Sequence, residues 1–208
     1  MVITQIERQK KNPRRYSIYV DEEFAVGVDR NVIIDKGLRK GDTIDDKLLL
    51  ALQTADELIR GHQIALRFLS YRPRSETEIR KRLERDTFRP ETIEHIIAQL
   101  YAEGQLDDKR FAEMYAQSKM LKKPIGAMRL RRELKQKGIH DTIIRHVEQA
   151  FCDYDTELNN ARHLAKKKLA NERTKDPIKR KRRLADFLVR RGFGWDVVSA
   201  VVEEFLDK

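Results

Sequence analysis

Three segments of the chain superpose on one another, and this internal repeat restricts the fold more than any other feature. RLERDTFRPETIEHI (82–96), ELKQKGIHDTIIRHV (133–147) and FLVRRGFGWDVVSAV (187–201) align once Leu83, Leu134 and Leu188 are matched, at offsets of 51 and 54 residues. In each, a basic helix stops at Thr87, Gly138 or Gly192, and an apolar residue follows: Phe88, Ile139 or Phe193. A new helix then sets Ile93 and Ile96, Ile144 and Val147, or Val198 and Val201 on one face. An earlier helix precedes each pair, over 63–71, 108–121 and 155–169. Three such repeats of three helices bury little apolar surface singly and must share it with their neighbours.

Local signals mark the helix starts. Ser75 with Glu78 is an S-x-x-E capping box, Asp107 caps the helix carrying Phe111, and Asp176 followed by Pro177 gives an N-cap with proline at the first helical position. Before the repeats the period is two. Val2 and Ile3, then Tyr16, Ile18 and Val20, then Phe24, Val26 and Val28 predict a three-stranded antiparallel meander. Asp21-Glu22-Glu23 reads as the second turn, although it lacks an Asn-Gly or Asp-Gly pair. The loop QKKNPRR, broken by Pro13, reads as a solvated hairpin tip despite Arg8, Lys10, Lys11, Arg14 and Arg15. Asp29 opens a short helix through Ile34 that Gly37 closes. The spacing of Leu48, Leu52, Ala55, Leu58 and Ile59 predicts a helix from Asp45 past Gly61 to Tyr71, where Pro73 enforces a stop. The expected fold is therefore mainly α: tandem three-helix repeats over 61–105, 106–153 and 154–208, in an elongated curved array behind a small β-strand-containing region of residues 1–60.

Charge adds a location to this plan. The net charge of +10 is unevenly spread: zero over 1–60 and +1 over 61–105, but +4 over 106–153 and +5 over 154–208. It is concentrated in KKPIGAMRLRRELKQK (122–137) and KDPIKRKRRLADFLVRR (175–191), with Lys166, Lys167 and Lys168 nearby. Arg129, Arg132 and Gln136 share one line of their helix, and Leu130 and Leu134 share another, so the cations form a stripe beside the core face. Stripes on successive repeats suit a polyanion, held by its phosphates without reading of its sequence.

Motifs for catalysis are missing: the chain has no phosphate-cradling glycine loop, zincin helix or nucleophile elbow. His62, His95, His140, His146 and His163 are scattered, and the six-residue step from His140 to His146 points them apart on a helix. Asp107 and Asp108 read as capping residues rather than an acid/base or metal pair. RGFGW reads as a helix stop with a tight turn, and Trp195 as part of the last core. Cys152, the single cysteine, excludes an intramolecular disulfide and a Cys-based zinc cage. With no apolar run near the roughly 18 residues of a membrane span, and no secretory signal in MVITQIERQKKNPRR, the expectation is a cytoplasmic monomer. It is expected to have no cofactor, no metal and no enzymatic activity.

Three motifs occur in order. They are Leu69, Ser70, Arg72, Arg74 and Ser75 (L-S-x-R-x-R-S), then Leu106, Asp107, Asp108, Arg110, Phe111 and Ala112 (L-D-D-x-R-F-A), then Glu133, Leu134, Lys137, Gly138 and Ile139 (E-L-x-x-K-G-I). The set resembles the RecX family, bacterial regulators of the RecA recombinase, over about residues 61–208, and residues 1–60 resemble the strand-containing extension of longer members. Thr87 departs from the glycine common at that helix end, and the third repeat matches loosely. The resemblance implies tandem three-helix repeats and a protein that binds in the groove of the RecA filament on DNA and usually limits the recombinase. On that reading Lys122, Lys123, Arg129, Arg131, Arg132 and Lys135 are the expected contacts to the filament or to single- or double-stranded DNA. Lys166, Lys167, Lys168 and the run Arg180, Lys181, Arg182, Arg183 join them. One rival is a general DNA-binding protein of helix-turn-helix-like units. Its reading helices, over 90–103, 141–150 and 195–206, carry Glu91, Glu94, Glu148, Glu203 and Glu204, which oppose phosphate. The other is a protein-only adaptor using the N-terminal region.

Overall fold

In the computed structural model, which describes residues 1–174 and 176–206, three strands precede ten helices among the described residues. Strands β1 (Ile3–Arg8), β2 (Arg15–Val20) and β3 (Glu23–Asp29) form the expected antiparallel meander in that order. The β2–β3 turn manages without glycine because its polar groups are tied to the first strand. Asp21 and Glu22 take φ of 49° and 71°; Asp21 accepts from the Val2 N–H, and the Glu22 N–H donates to Thr4 Oγ1. Ile3, Ile18, Val26 and Val28 then pack with Val32 and Leu52 from the two helices that follow and with Leu38 from the segment between them.

Helix α1 (Arg30–Lys36) is capped by Asp29 and closed by Gly37. Helix α2 (Asp46–Tyr71) starts where Asp45 accepts from the Leu48 N–H, and it is continuous through Gly61. Its first half covers the sheet with Leu52, and its second half supplies Ala65, Phe68 and Leu69 to the next core, so it doubles as the first helix of the first repeat. The basic hairpin loop is not wholly a solvated tip. Arg15 donates to both carboxylate oxygens of Asp56 at 3.0 Å and to the Gly27 carbonyl at 2.6 Å, and Asp56 also accepts from the Asp29 N–H. Asp56 is buried, so this cation fastens sheet to helix.

The repeats follow as α3 (Glu76–Arg85) and α4 (Pro90–Ala102); α5 (Asp108–Lys122), α6 (Ala127–Gln136) and α7 (Asp141–Phe151); and α8 (Tyr154–Ala170), α9 (Pro177–Arg191) and α10 (Trp195–Leu206). The aligned apolar positions are core in every case: Leu83, Phe88 and Ile96; Leu134, Ile139 and Val147; Leu188, Phe193 and Val201. Trp195 corrects the expectation for RGFGW. It is 69% exposed, whereas Phe193 is 1% exposed. Trp195 occupies the first position of α10, while the buried face of that helix is Val197, Val198 and Val201.

The chain divides into two compact units, Met1–Pro73 with Ile79–Leu106, and Arg74–Glu78 with Asp107–Lys208. The first holds the sheet and the core of the first repeat. The second uses one joint twice. Ser75 Oγ donates to the Lys137 carbonyl at 2.7 Å, the Glu76 N–H donates to Asp108 at 2.8 Å, and Thr77 lies against Gly138 with no room for a β-carbon. At the matching positions of the next repeat, the Gly126 N–H donates to the Arg191 carbonyl at 3.0 Å and the Met128 N–H to the Gly192 carbonyl at 3.2 Å. Between them the Ala127 N–H donates to Glu157 at 2.6 Å. In both joints the first turn of one middle helix sits on the last turn of the next repeat's middle helix. In both, a carboxylate from the next repeat's first helix satisfies an N–H that the helix itself leaves open. Burial holds the Asp108 and Glu157 carboxyls above their ordinary range, against the lowering effect of those N–H groups.

Candidate functional site

The second joint builds a basic cleft. By fixing the start of α6 against the end of α9, it places Lys123, Arg129 and Arg132 opposite Arg190 and Arg191, around a cavity of about 950 Å³ also lined by Met128, Phe187, Val189 and Gly192. Arg129 is held within it: its Nε donates to Glu133 at 2.8 Å, and its β-carbon lies where a side chain on Gly192 would have to be. Glu133 also accepts from Lys119 at 2.7 Å and from the Tyr115 hydroxyl at 2.6 Å. Burial alone would raise the Glu133 carboxyl, but these donors outweigh it and hold the group at about 2, so it stays ionised and neutralises its cations. Lys123, Arg132 and Arg190 make no ion pair among the described residues. The Arg191 guanidinium lies 5.3 Å from the centre of the Phe187 ring.

A smaller cavity of about 200 Å³ shares Lys123, Phe187 and Arg191 with this cleft and adds Lys122, His163, Lys167 and Lys168. Beyond it, Lys168, Arg173, Arg183 and Arg190 surround Glu172 and Asp186. There the positive charge is largely answered: Glu172 lies 3.0 Å from Arg183 and 3.8 Å from Lys168.

Other cations singled out in the sequence lie elsewhere. Arg131 is bound by Glu148, and Lys135 lies 3.0 Å from Asp141, so both tie α6 to α7 and neither lines the cleft. Lys166 and Arg182 are exposed, Arg180 and Lys181 are half-buried, and the Arg180 Nε is enclosed without a hydrogen-bond partner. Lys175 lies outside the described residues. Sequence reasoning misses Arg190 and Arg191, although the repeat alignment carries a signal, since Arg191 matches Lys137.

The three motifs serve the first joint and the cores. Ser75, Asp108, Lys137 and Gly138 converge on the joint, and Lys137 Nζ also reaches Glu78 at 3.3 Å and the rings of Phe111 and Tyr115 at 5.7 and 5.3 Å. Asp107 caps α5 through the Arg110 N–H. Leu106, Phe111, Ala112, Leu134 and Ile139 are buried, and Leu69 packs beside Ala65. Arg74 is half-buried, and Ser70, Arg72 and Arg110 are exposed. Burial, with the nearby charges of Glu157, Glu148 and Asp153, pushes the Cys152 thiol up to about 12, which keeps it protonated and unreactive. Among the described residues, no group of three or more His, Cys, Asp or Glu is placed to hold a metal, and no helix is long and apolar enough to cross a membrane.

Family models account for the chain segment by segment. The regulatory protein RecX N-terminal domain matches residues 1–45, and the first, second and third RecX three-helix domains match 62–100, 107–147 and 155–202. The chain belongs to the RecX family. Regulatory protein RecX of Bacillus velezensis is 36% identical over 97% of this chain and 76% of its own length, and that of Bacillus subtilis is 34% identical with the same coverage. A crystal structure of regulatory protein RecX superposes with a TM-score of 0.76 at 29% identity, covering 96% of this chain and 98% of the other. RecX from Lactobacillus salivarius does so with a TM-score of 0.65 at 25% identity, over 74% and 98%. A regulatory role of the RecX kind follows from this membership, and tandem RecX three-helix domains behind a small sheet are its architecture.

Proposed function

We propose that the chain modulates the RecA recombinase without catalysing a reaction of its own. It binds as a cytoplasmic monomer in the groove of the RecA–DNA filament and limits recombination, ATP hydrolysis and coprotease activity. The observation that carries this reading is the pairing of RecX membership along the chain with a cleft whose Lys123, Arg132 and Arg190 have no carboxylate partner among the described residues. A filament on DNA presents phosphate and acidic protein, and unanswered cations supply affinity for either without sequence readout. Lys122, Lys167 and Lys168 extend the contact, with Lys166 and Arg180 to Arg183 at its margin, and Arg129 acts by positioning. Sequence-specific DNA reading is disfavoured by the last helix of each repeat, where Glu94, Glu148 and Glu204 are spent on Arg80, Arg131 and Arg162.

The reading is tested by sedimenting RecA filaments, formed on single-stranded DNA with a slowly hydrolysed ATP analogue, in the presence of this chain. The wild type is expected in the pellet. Arg132→Glu combined with Arg190→Glu is expected to weaken that association by about tenfold or more, with helical circular dichroism unchanged. A wild type left in the supernatant contradicts the reading, and a double variant that pellets like the wild type removes the cleft from it.

A further inference from the structure

The last helix of the third repeat, α10, departs from its counterparts on the face it turns to solvent. The repeat alignment sets Ser199 and Ala200 against Glu94 and His95 in α4 and against Arg145 and His146 in α7. Glu94 is tied to Arg80 and His146 lies 3.5 Å from Glu113, so long charged side chains held within their own repeats cross both counterpart faces. On α10 the same strip is bare. Ala200 offers only a methyl group, and the Ser199 hydroxyl folds back to donate to the Trp195 carbonyl at 2.8 Å. At the head of the strip, where the counterparts carry Pro90 and Asp141, stands Trp195 at 69% exposure. A tryptophan left in water beside small side chains gives a partner both an anchor and a floor to pack on.

Charge decides which partner. Asp196 and Glu203 flank the strip about 10 Å apart along the helix axis, both exposed and both without an ion pair among the described residues. Glu204 is taken by Arg162, and Trp195–Leu206 contains no Lys, Arg or His. In a chain of net charge +10 this helix is a negative island, which repels phosphate and attracts cations. The face of an indole ring adds to that attraction, since its quadrupole draws a guanidinium or ammonium group. We propose that this face of α10 docks a basic segment of a protein partner, with one arginine or lysine over the Trp195 ring and others at Asp196 and Glu203. The inference goes beyond the filament reading: it uses none of the cleft cations, and it calls for a partner surface of the opposite sign to the one they take.

The test uses the full chain with two alanine-based peptides of equal length, one carrying several arginines and the other glutamine at the same positions, followed by peptide anisotropy. Trp195 is the sole tryptophan, so its emission reports on this face directly. The net charge of +10 repels the arginine peptide from the chain as a whole, which makes any binding the mark of a local acidic site. The arginine peptide is expected to bind about tenfold or more tighter than the glutamine peptide and to shift the Trp195 emission to shorter wavelength. Trp195→Ala should weaken that binding by about tenfold, and Asp196→Lys with Glu203→Lys should abolish it, with helical circular dichroism unchanged in both. Glu23→Lys with Asp35→Lys makes the same change of net charge at exposed positions of the first unit and should leave binding as in the wild type. Equal affinity for the two peptides overturns the proposal, as does binding that survives Trp195→Ala and the α10 charge reversal. A chain that sediments as a dimer until Trp195→Ala dissolves it also overturns the proposal, and makes a second copy the occupant. A chain that takes the arginine peptide as expected yet never associates with RecA filaments contradicts the regulator reading alone.

Discussion

A β-carbon at position 138 or 192 has nowhere to go, while the one at position 87 stands in solvent. Thr87, Gly138 and Gly192 all adopt left-handed backbone, with φ of 62°, 76° and 89°. The conformational demand is the same at each helix end, and the difference lies in what docks there. Thr77 packs on Gly138 and the backbone of Arg129 on Gly192, whereas Thr87 is exposed. Gly138→Ala and Gly192→Ala should each lower unfolding free energy by about 2 kcal/mol or more, since the left-handed backbone alone costs about 1–2 kcal/mol. Thr87→Gly should lower it little or raise it by up to about 1 kcal/mol. Urea denaturation of the three variants measures this, and equal losses at 87 and 138 would count against the joint. The repeat alignment sets these residues side by side and marks Thr87 as a departure. It cannot explain the departure, because the steric partner of Gly138 lies 61 residues away in the chain.

Helix spans and caps were legible because period and cap residues are local. Asp45, Asp107 and Asp176 each accept from the first-turn N–H groups that the sequence assigns them. Contacts between helices were not legible. Counting charges along α6 could not reveal that Arg131 and Lys135 are consumed by α7, or that Glu133 gathers donors from two elements, Tyr115 and Lys119 on α5 and Arg129 on its own helix. That last network has a pH signature. The Glu133 carboxyl is held at about 2 in the folded chain, below the roughly 4.3 of an unfolded glutamate, so the folded state binds fewer protons. Its stabilisation is complete above about pH 5 and fades as pH falls through 4 towards 2, on the order of 1–2 kcal/mol after allowance for solvent screening. Wild type should therefore exceed Glu133→Gln in stability at neutral pH by more than it does near pH 3. A gap that is the same at both would show that the donors do not stabilise the ionised form.

For the whole molecule, segment charge located the basic excess in the last two repeats but left open which cations face a partner. The repeat alignment predicts packing partners for apolar residues, because the same faces recur. It is silent on how Arg190 and Arg191 are placed, since their position in the cleft depends on the contact of Gly126 with Gly192. The motif residues were legible as a family mark, and the structure gives most of them a mechanical task at a joint or in a core, separate from the basic cleft. That separation makes the regulatory claim testable without disturbing the scaffold. The most direct measurement is the rate of ATP hydrolysis by RecA filaments on single-stranded DNA as the chain is titrated in, with its binding to bare DNA followed in parallel across salt. A filament-directed regulator lowers the rate at substoichiometric amounts, where bare-DNA binding is too weak to explain it by competition. A rate that stays constant until the chain has saturated the DNA would contradict the account.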